Sequence, residues 1–327
     1  MYSRPASYFL AVLMCTFALQ GEKREIAPVP IHQVEPAYEA DMSTSYVVDH
    51  IRVEMTIAWW QPVIVGPGFE RKYMDQLSKF AVGGDDDSSL RQTFGILRQK
   101  WNEVPAGQMN RVLSSDLLRW PDGDLLAAWA GFFKDASIFP RRGWRQTLYR
   151  DVFRGKRILD FGCGLAFDTV HYAENGARVT FVDLVESNVE VVRRLCRLKN
   201  LKDCEFCFMQ DLASLSALDG YYDAIYCSGS LINAPLEAIR LEAQALLEHL
   251  PVGGRWMELA YPKARWEREG RIPFEKWGEK TDGGAPWMEW HDLDKVMWYL
   301  APAKFDVVLN LQFHSSDFNW FDLIRVS

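Results

Sequence analysis

From Arg157 to the end of the chain, short apolar runs alternate with segments whose apolar residues recur every three to four positions. The apolar runs have the length of strands and cover residues 157–161, 179–182, 205–209, 224–227 and 255–260. The segments between them, about 167–175, 186–199 and 235–250, are typical of amphipathic helices. Because strands alternating with such helices are joined by right-handed crossovers, this pattern predicts a parallel sheet covered on both faces.

The last part of the chain departs from this alternation. Two strand-like runs, 305–313 and 319–326, follow each other with only a short polar link between them. Such a pair predicts an antiparallel hairpin. The expected fold class is therefore α/β, with a doubly wound, mostly parallel sheet of seven strands that ends in an antiparallel hairpin.

Residues 46–150 show helical periodicity wherever they are periodic. Apolar residues from Leu90 to Trp101 follow a polar Asp-Asp-Asp-Ser-Ser segment that is suited to cap a helix. A second helical stretch, 117–133, is interrupted by Pro121-Asp122-Gly123, and we expect its helix to restart with Asp124 as the cap. We therefore divide the chain into a helical region, 46–150, and a sheet domain, 151–327.

The first 45 residues contain an apolar run, 8–19, that follows Arg4. This run is too short to span a bilayer but has the length of a signal-peptide core. It lacks the small-x-small pattern of a cleavage site, so an upstream start codon, with the working chain beginning near Met42, or a packed N-terminal helix is the favoured alternative. Residues 22–45, rich in Pro and Glu, are expected to form a linker.

Composition limits the partners and the compartment. The 327 residues carry a net charge of -7, which gives no general attraction to nucleic acid or to anionic lipid. Six cysteines are too few for a disulfide scaffold in a chain of this length. We expect a cytoplasmic protein, with export as the minor alternative, that binds neither nucleic acid nor membrane; the oligomeric state stays open.

The most informative segment runs from Arg157 through Asp160 into Gly162-Cys163-Gly164, a strand that leads through a glycine turn into a helix. Gly162 allows the tight turn, and Gly164 lets a ligand approach the backbone. Asp183 ends the next strand about twenty residues later, where a carboxylate is placed to accept hydrogen bonds from a ribose. A carboxylate at position 160 would repel a pyrophosphate, but it suits a ligand that carries an ammonium and a sulfonium.

Further segments continue the pattern. Val182-Asp183-Leu184 ends the second strand, Met209–Leu212 follows the third, residues 222–227 form the fourth, and Gly253-Gly254 precedes the fifth. In this order and spacing the chain resembles the class I S-adenosylmethionine-dependent methyltransferases, over about residues 150–260 and, through the hairpin, to the chain end. The resemblance implies S-adenosylmethionine as the cofactor. The residues it assigns to cofactor binding are Asp160, Gly162, Cys163, Gly164, Asp183, Leu184, Asp211, Leu212 and Ser228.

The resemblance also implies that 46–150 acts as a lid and that the methyl acceptor binds beyond the fourth and fifth strands. Transfer to a hydroxyl needs a base, for which His291 is the first candidate, followed by His314 and Glu258. For His291 the alternative is a packed histidine. Cys204 and Cys207 point to opposite faces of a strand, so no metal site is expected.

Tryptophan is concentrated in an insertion at about 262–300, directly after the fifth strand. Tyr261, Trp287 and Trp290 are expected to form an aromatic wall for the acceptor, with simple packing as the alternative. We expect O-methylation of a small polar acceptor such as a sugar or a hydroxylated metabolite. N-methylation of a small molecule, a nicotinamide-dependent oxidoreductase that shares the glycine turn, and a non-catalytic cofactor-binding module remain alternatives.

Overall fold

The computed structural model describes residues 51–52, 87–103, 112–138, 142–281 and 283–327. The signal-like segment and linker expected within 1–45 lie outside the described residues, as does most of 46–86. The sheet domain, 151–327, is described throughout except at one position of the insertion.

The described residues contain one eight-stranded sheet. Its strands are β1 (Ile51–Arg52), β2 (Arg157–Phe161), β3 (Arg178–Asp183), β4 (Cys204–Phe208), β5 (Ala224–Ser228), β6 (Arg255–Ala260), β7 (Phe305–Phe313) and β8 (Phe318–Arg325). Their order is β1-β7-β8-β6-β5-β2-β3-β4, with β2 to β6 parallel to one another and β7 and β8 antiparallel. The mostly parallel sheet with a terminal hairpin is confirmed, and the two-residue β1 adds an eighth strand that the sequence did not predict.

Eleven helices are found in the described part of the chain. They are α1 (Asp87–Trp101), α2 (Ser114–Leu117), α3 (Asp122–Ala136), α4 (Trp144–Tyr149), α5 (Phe167–Glu174), α6 (Glu186–Leu198), α7 (Ala213–Ser216), α8 (Leu236–Leu247), α9 (Lys263–Arg268), α10 (Phe274–Thr281) and α11 (Leu293–Leu300). The expected cap at Asp124 is wrong, because α3 begins at Asp122 with Pro121 as its N-terminal cap. A proline at a helix start loses no hydrogen bond, and Asp122 and Asp124 favour the first turn through the helix dipole. Among the described residues no helix is long and apolar enough to cross a membrane.

The sheet separates two apolar cores. One core lies on the face covered by α8 and α11 and includes Ile225, Ala243 and Trp256. The other lies on the opposite face, under α3 to α6, and includes Leu148 and Phe181. This layering leaves the carboxyl ends of β2, β3, β5 and β6 at one edge of the sheet, which is where ligands bind in open α/β folds.

Two segments outside the sheet are held against this edge. Arg98 of α1 donates from Nε to the carbonyl of Leu184, at 3.1 Å, and from Nη2 to the carbonyl of Met209, at 3.3 Å. The insertion after β6 is joined to the edge by backbone hydrogen bonds from Glu289 to Ile232, at 2.7 Å, and from His291 to Tyr261, at 2.9 Å. Helix α1 and the insertion therefore border the edge from two sides.

Candidate functional site

The turn after β2 depends on Gly162. Its φ of +71° lies in the region that side chains rarely adopt, and its N–H donates to the Val182 carbonyl at 2.8 Å. A Cβ added at Gly162 would lie 2.4 Å from Cβ of Ser230, in the loop that follows β5. Glycine is therefore required here by the backbone angle and by the approach of that loop.

Asp183 ends β3 with both carboxylate oxygens held by the chain. Its Oδ2 accepts the N–H of Gly164 at 2.8 Å, and its Oδ1 accepts the N–H of Val185 at 2.8 Å and Nδ2 of Asn188 at 3.2 Å. Burial raises the pKa of Asp183 even though these hydrogen bonds act in the opposite direction. A carboxylate has about four acceptor sites, of which three hold these N–H donors. The fourth is approached only by the weak donor Sγ of Cys163, 3.9 Å from Oδ2, and is available to one ribose hydroxyl.

Asp160 at the end of β2 and Asp168 in the first turn of α5 are both buried, but their surroundings shift their pKa values in opposite directions. Burial raises the pKa of Asp160 to about 7, although it accepts a hydrogen bond from Thr169. Burial also disfavours the charged form of Asp168, but Arg145, 3.1 Å away, and then Arg142 hold its pKa below the usual value. Asp168 therefore stays ionised at neutral pH, whereas Asp160 titrates near neutral pH.

A small cavity of about 70 Å³ opens at this point. Asp160, Gly162, Cys163, Arg142 and Ser228 are among the residues that line it. The cavity thus offers a carboxyl group and a guanidinium group together, which suits a ligand bearing both an ammonium and a carboxylate. Sequence analysis missed Arg142 because it precedes the sheet domain and belongs to no motif.

A larger cavity of about 210 Å³ lies next to the first one and shares Arg142, Gly162 and Ser228 with it. Its lining extends from Asp183 and Leu184 through the loop after β5 to Tyr261. Inside this loop Asn233 is buried and donates from Nδ2 to the Gly229 carbonyl at 3.1 Å, and its Oδ1 has no hydrogen-bond partner among the described residues. A buried acceptor without a partner, in a wall of the cavity, fits a site that binds a polar ligand.

A family model described as a methyltransferase domain matches residues 158–254, which include the glycine turn, Asp183 and the loop after β5. The chain contains a class I S-adenosylmethionine-dependent methyltransferase domain. The expected family and its cofactor, S-adenosylmethionine, are thereby confirmed. The match also decides against the nicotinamide-dependent alternative, which rested on the shared glycine turn alone.

Several proteins are similar to parts of this chain. A ubiquinone biosynthesis O-methyltransferase of Bordetella parapertussis is 32% identical over 118 residues, 36% of this chain and 46% of the relative. An S-adenosylmethionine-dependent Diels-Alderase of Talaromyces variabilis is 35% identical over 82 residues, 24% of this chain and 28% of the relative. The N-methyltransferase NodS of Bradyrhizobium japonicum, solved with S-adenosylhomocysteine, is 16% identical with a TM-score of 0.45, covering 59% of this chain and 91% of that one. The alignments with the two curated relatives span less than half of each relative's length.

The remaining cofactor residues predicted for the methyltransferase domain lie outside both cavity linings. Gly164 contributes its N–H to Asp183. Asp211 is exposed and accepts from N–H and Oγ of Ser214, at 3.1 and 3.2 Å, and Leu212 lies beside it. These contacts are those of a carboxylate at a helix start, and the adenine-binding role expected for 211–212 stays a prediction.

The three candidate bases also lie outside the cavity linings. His291 and Glu258 are both 0% exposed, with Nδ1 of His291 2.6 Å from Oε1 of Glu258. Oε2 of Glu258 accepts hydrogen bonds from Trp256, at 2.9 Å, and from Tyr299. His314 lies in the turn between β7 and β8 and pairs with Asp317 at 3.6 Å. The structure thus joins two of the three candidates in one buried cluster, and their catalytic roles stay predictions.

Of the three aromatic residues expected to contact the acceptor, Tyr261 lines the larger cavity. Trp290 packs against Trp266, with ring centroids 6.1 Å apart, and is covered by the Lys295 ammonium 3.3 Å from its centroid. Trp287 packs against Phe274 at 6.0 Å. The ring contacts of both tryptophans are internal to the insertion, although the backbone of Trp290 bridges to Tyr261. These ring contacts favour the packing alternative, and the acceptor-binding role of the two tryptophans stays a prediction.

Proposed function

We propose that this protein transfers the methyl group of S-adenosylmethionine to a hydroxyl group of a small molecule. The observation that carries the proposal is the larger cavity, which joins the cofactor-binding edge at Asp183 to the loop after β5 and to Tyr261. When bound, S-adenosylmethionine supplies a methyl group on a positively charged sulfur. The role of the chain is to hold donor and acceptor in line, and such positioning accounts for a large share of the rate in reactions of this kind.

Each end of the cofactor has complementary groups in the two cavities. The one acceptor site of Asp183 without an N–H donor suits a ribose hydroxyl, the Asp160 carboxyl suits the ammonium, and the Arg142 guanidinium suits the carboxylate. Oδ1 of Asn233 then remains to meet a polar group of the acceptor. Transfer to oxygen rather than nitrogen is favoured because the relative from Bordetella is named an O-methyltransferase.

The test uses S-adenosylmethionine with a labelled methyl group and the small-molecule fraction of a cell extract. We expect label to move from the donor into a new product, S-adenosylhomocysteine to form in equal amount, and the label to resist conditions that cleave N-methyl but not O-methyl groups. Calorimetry should show binding of S-adenosylmethionine and S-adenosylhomocysteine but not of NAD. Absence of transfer would refute the proposal, and absence of cofactor binding as well would show that the cavity is not a cofactor site.

A second candidate function is favoured by the relative from Talaromyces, which is named an S-adenosylmethionine-dependent Diels-Alderase. For this chain, such a function would use the cofactor site without the methyl transfer proposed above. In the same experiment the protein would then bind S-adenosylmethionine but form no S-adenosylhomocysteine.

A further inference from the structure

Helix α8 carries an acidic residue on the side that faces the sheet. Its buried positions include Ile239, Glu242, Ala243 and Leu246, which recur at the three-to-four-residue spacing of a core face. Glu242 is 4% exposed, and burial raises its pKa to about 8. An acidic residue is rarely found at such a position unless it has a partner.

Within the described part of the chain, the Glu242 carboxyl has neither a hydrogen-bond partner nor an ion pair. Other buried carboxylates of the structure all have one: Glu258 binds Tyr299, Asp183 binds backbone N–H groups, and Asp322 is paired with Arg255. Desolvation alone raises the pKa of Glu242, as expected for a carboxyl that no charge or donor offsets. Glu242 therefore differs from the structural carboxylates of the fold.

Glu242 lines the larger cavity, together with the loop after β5 and the end of β6. The rest of the lining is largely apolar and includes Ile232, Ala234 and Ala260. The charge of Glu242 acts on the Cys227 thiol of β5, whose pKa is itself raised well above its usual value, mainly by burial. Glu242 thus places a buried carboxyl, with no partner among the described residues, in the lining of a largely apolar cavity.

We propose that Glu242 contacts the methyl acceptor, and that the acceptor is a largely apolar small molecule that presents a hydroxyl or amino group to α8. The inference rests on the proposed function and narrows it, because a sugar would place several hydroxyl groups against apolar walls. A carboxyl and a hydroxyl group each donate and accept one hydrogen bond, so the pair is satisfied without transfer of a proton. The walls formed by Tyr261 and Phe318 suit the apolar body of such a molecule.

Three variants separate this role from a structural one. Glu242→Leu removes the polar group with little change in volume, and Glu242→Gln keeps a donor and an acceptor. Glu248→Gln, at an exposed position directly after α8, is the matched control. Each variant is first titrated with S-adenosylhomocysteine by calorimetry, which reports both folding and the cofactor site.

The rate of label transfer from methyl-labelled S-adenosylmethionine is then measured over a dilution series of the extract's small-molecule fraction. We expect Glu242→Leu to lose at least about tenfold in transfer at low extract concentration, chiefly through a higher KM, since burying an unpaired polar group of the acceptor is costly. Glu242→Gln should recover part of that loss, and Glu248→Gln should match wild type. All four proteins should bind S-adenosylhomocysteine within about twofold of one another.

The outcomes have separate meanings. Wild-type transfer by Glu242→Leu would overturn the inference while leaving the proposed function intact. A parallel loss of S-adenosylhomocysteine affinity would place Glu242 in the cofactor site and would also overturn it. Labelled product that stays in water, instead of partitioning into an organic solvent, would refute the apolar acceptor. No transfer by wild type would refute the proposed function, and the inference would fall with it.

Discussion

Replacing Glu242 with glutamine should change the way in which stability depends on pH. In the folded protein the Glu242 pKa is raised by burial to about 8, whereas in the unfolded chain it returns to its usual value near 4.5. Between these two values the folded state holds a proton that the unfolded state releases. The free energy of unfolding of the wild-type protein therefore falls as the pH rises through this range, and glutamine abolishes that contribution.

The size of the effect follows from the same two values. Each unit of pKa difference corresponds to about 1.4 kcal/mol, so the range from 4.5 to about 8 corresponds to about 5 kcal/mol at most. Below the lower value both states are protonated, and above the upper value both are ionised, so the contribution is constant outside the range. The free energy of unfolding of Glu242→Gln, relative to that of wild type, should thus increase steadily between about pH 5 and about pH 8.

Urea unfolding of the two proteins across this pH range measures the difference directly. Other titrating groups are common to both proteins and cancel in the comparison, which leaves the contribution of position 242. Glu248→Gln serves as the control, because that exposed carboxyl should give a flat difference. A flat difference for Glu242→Gln as well would show that the carboxyl is solvated or paired, and would refute the reasoning from its burial.

Three further outcomes are expected. Asp183→Ala should weaken S-adenosylhomocysteine binding by about 1.5–3 kcal/mol in calorimetry, the range for hydrogen bonds to charged groups, and unchanged affinity in a folded variant would contradict the ribose assignment. Gly162→Val should abolish that binding, because its φ of +71° and the 2.4 Å approach to Ser230 both exclude a side chain; normal binding by a folded variant would show that the turn is not part of the site. His291→Ala should lower the free energy of unfolding by at least about 1–3 kcal/mol, since it leaves Glu258 buried without this partner. Wild-type stability together with a 10²- to 10⁴-fold lower kcat, the usual range for a general base, would instead support the catalytic role of His291.

The sheet was predictable because its signals are local. Each strand and helix of 157–260 shows its own periodicity, and glycines with an acidic residue about twenty positions later mark the cofactor edge. The start of α3 was misplaced because Pro121-Asp122-Gly123 resembles a turn, although proline and aspartate also favour the first turn of a helix. Where a local pattern is compatible with two structures, the contacts of the segment with the rest of the fold determine which one forms.

The side chains that meet the acceptor were harder to predict, because their positions depend on contacts between distant segments. Arg142 lies outside the sheet domain and belongs to none of its motifs, yet it lines both cavities. Trp287 and Trp290 were expected at the cavity from their crowding in the sequence, but their partners, Phe274 and Trp266, lie within the same insertion. Crowding along the chain indicates that aromatic residues pack together, without indicating which of them face a ligand.

Glu242 and Glu258 look alike in the sequence pattern but differ in their partners. Both are acidic residues at core-facing positions, one on α8 and one on β6, and both are at least nine-tenths buried. Glu258 is surrounded by donors from Trp256, His291 and Tyr299, whereas Glu242 faces a cavity and has no such donor among the described residues. Loss of the first carboxylate would leave buried donors unpaired, whereas loss of the second would leave no described group unpaired. An acidic residue on a core face is therefore a candidate for ligand contact only once its partners have been accounted for, and that accounting requires the fold.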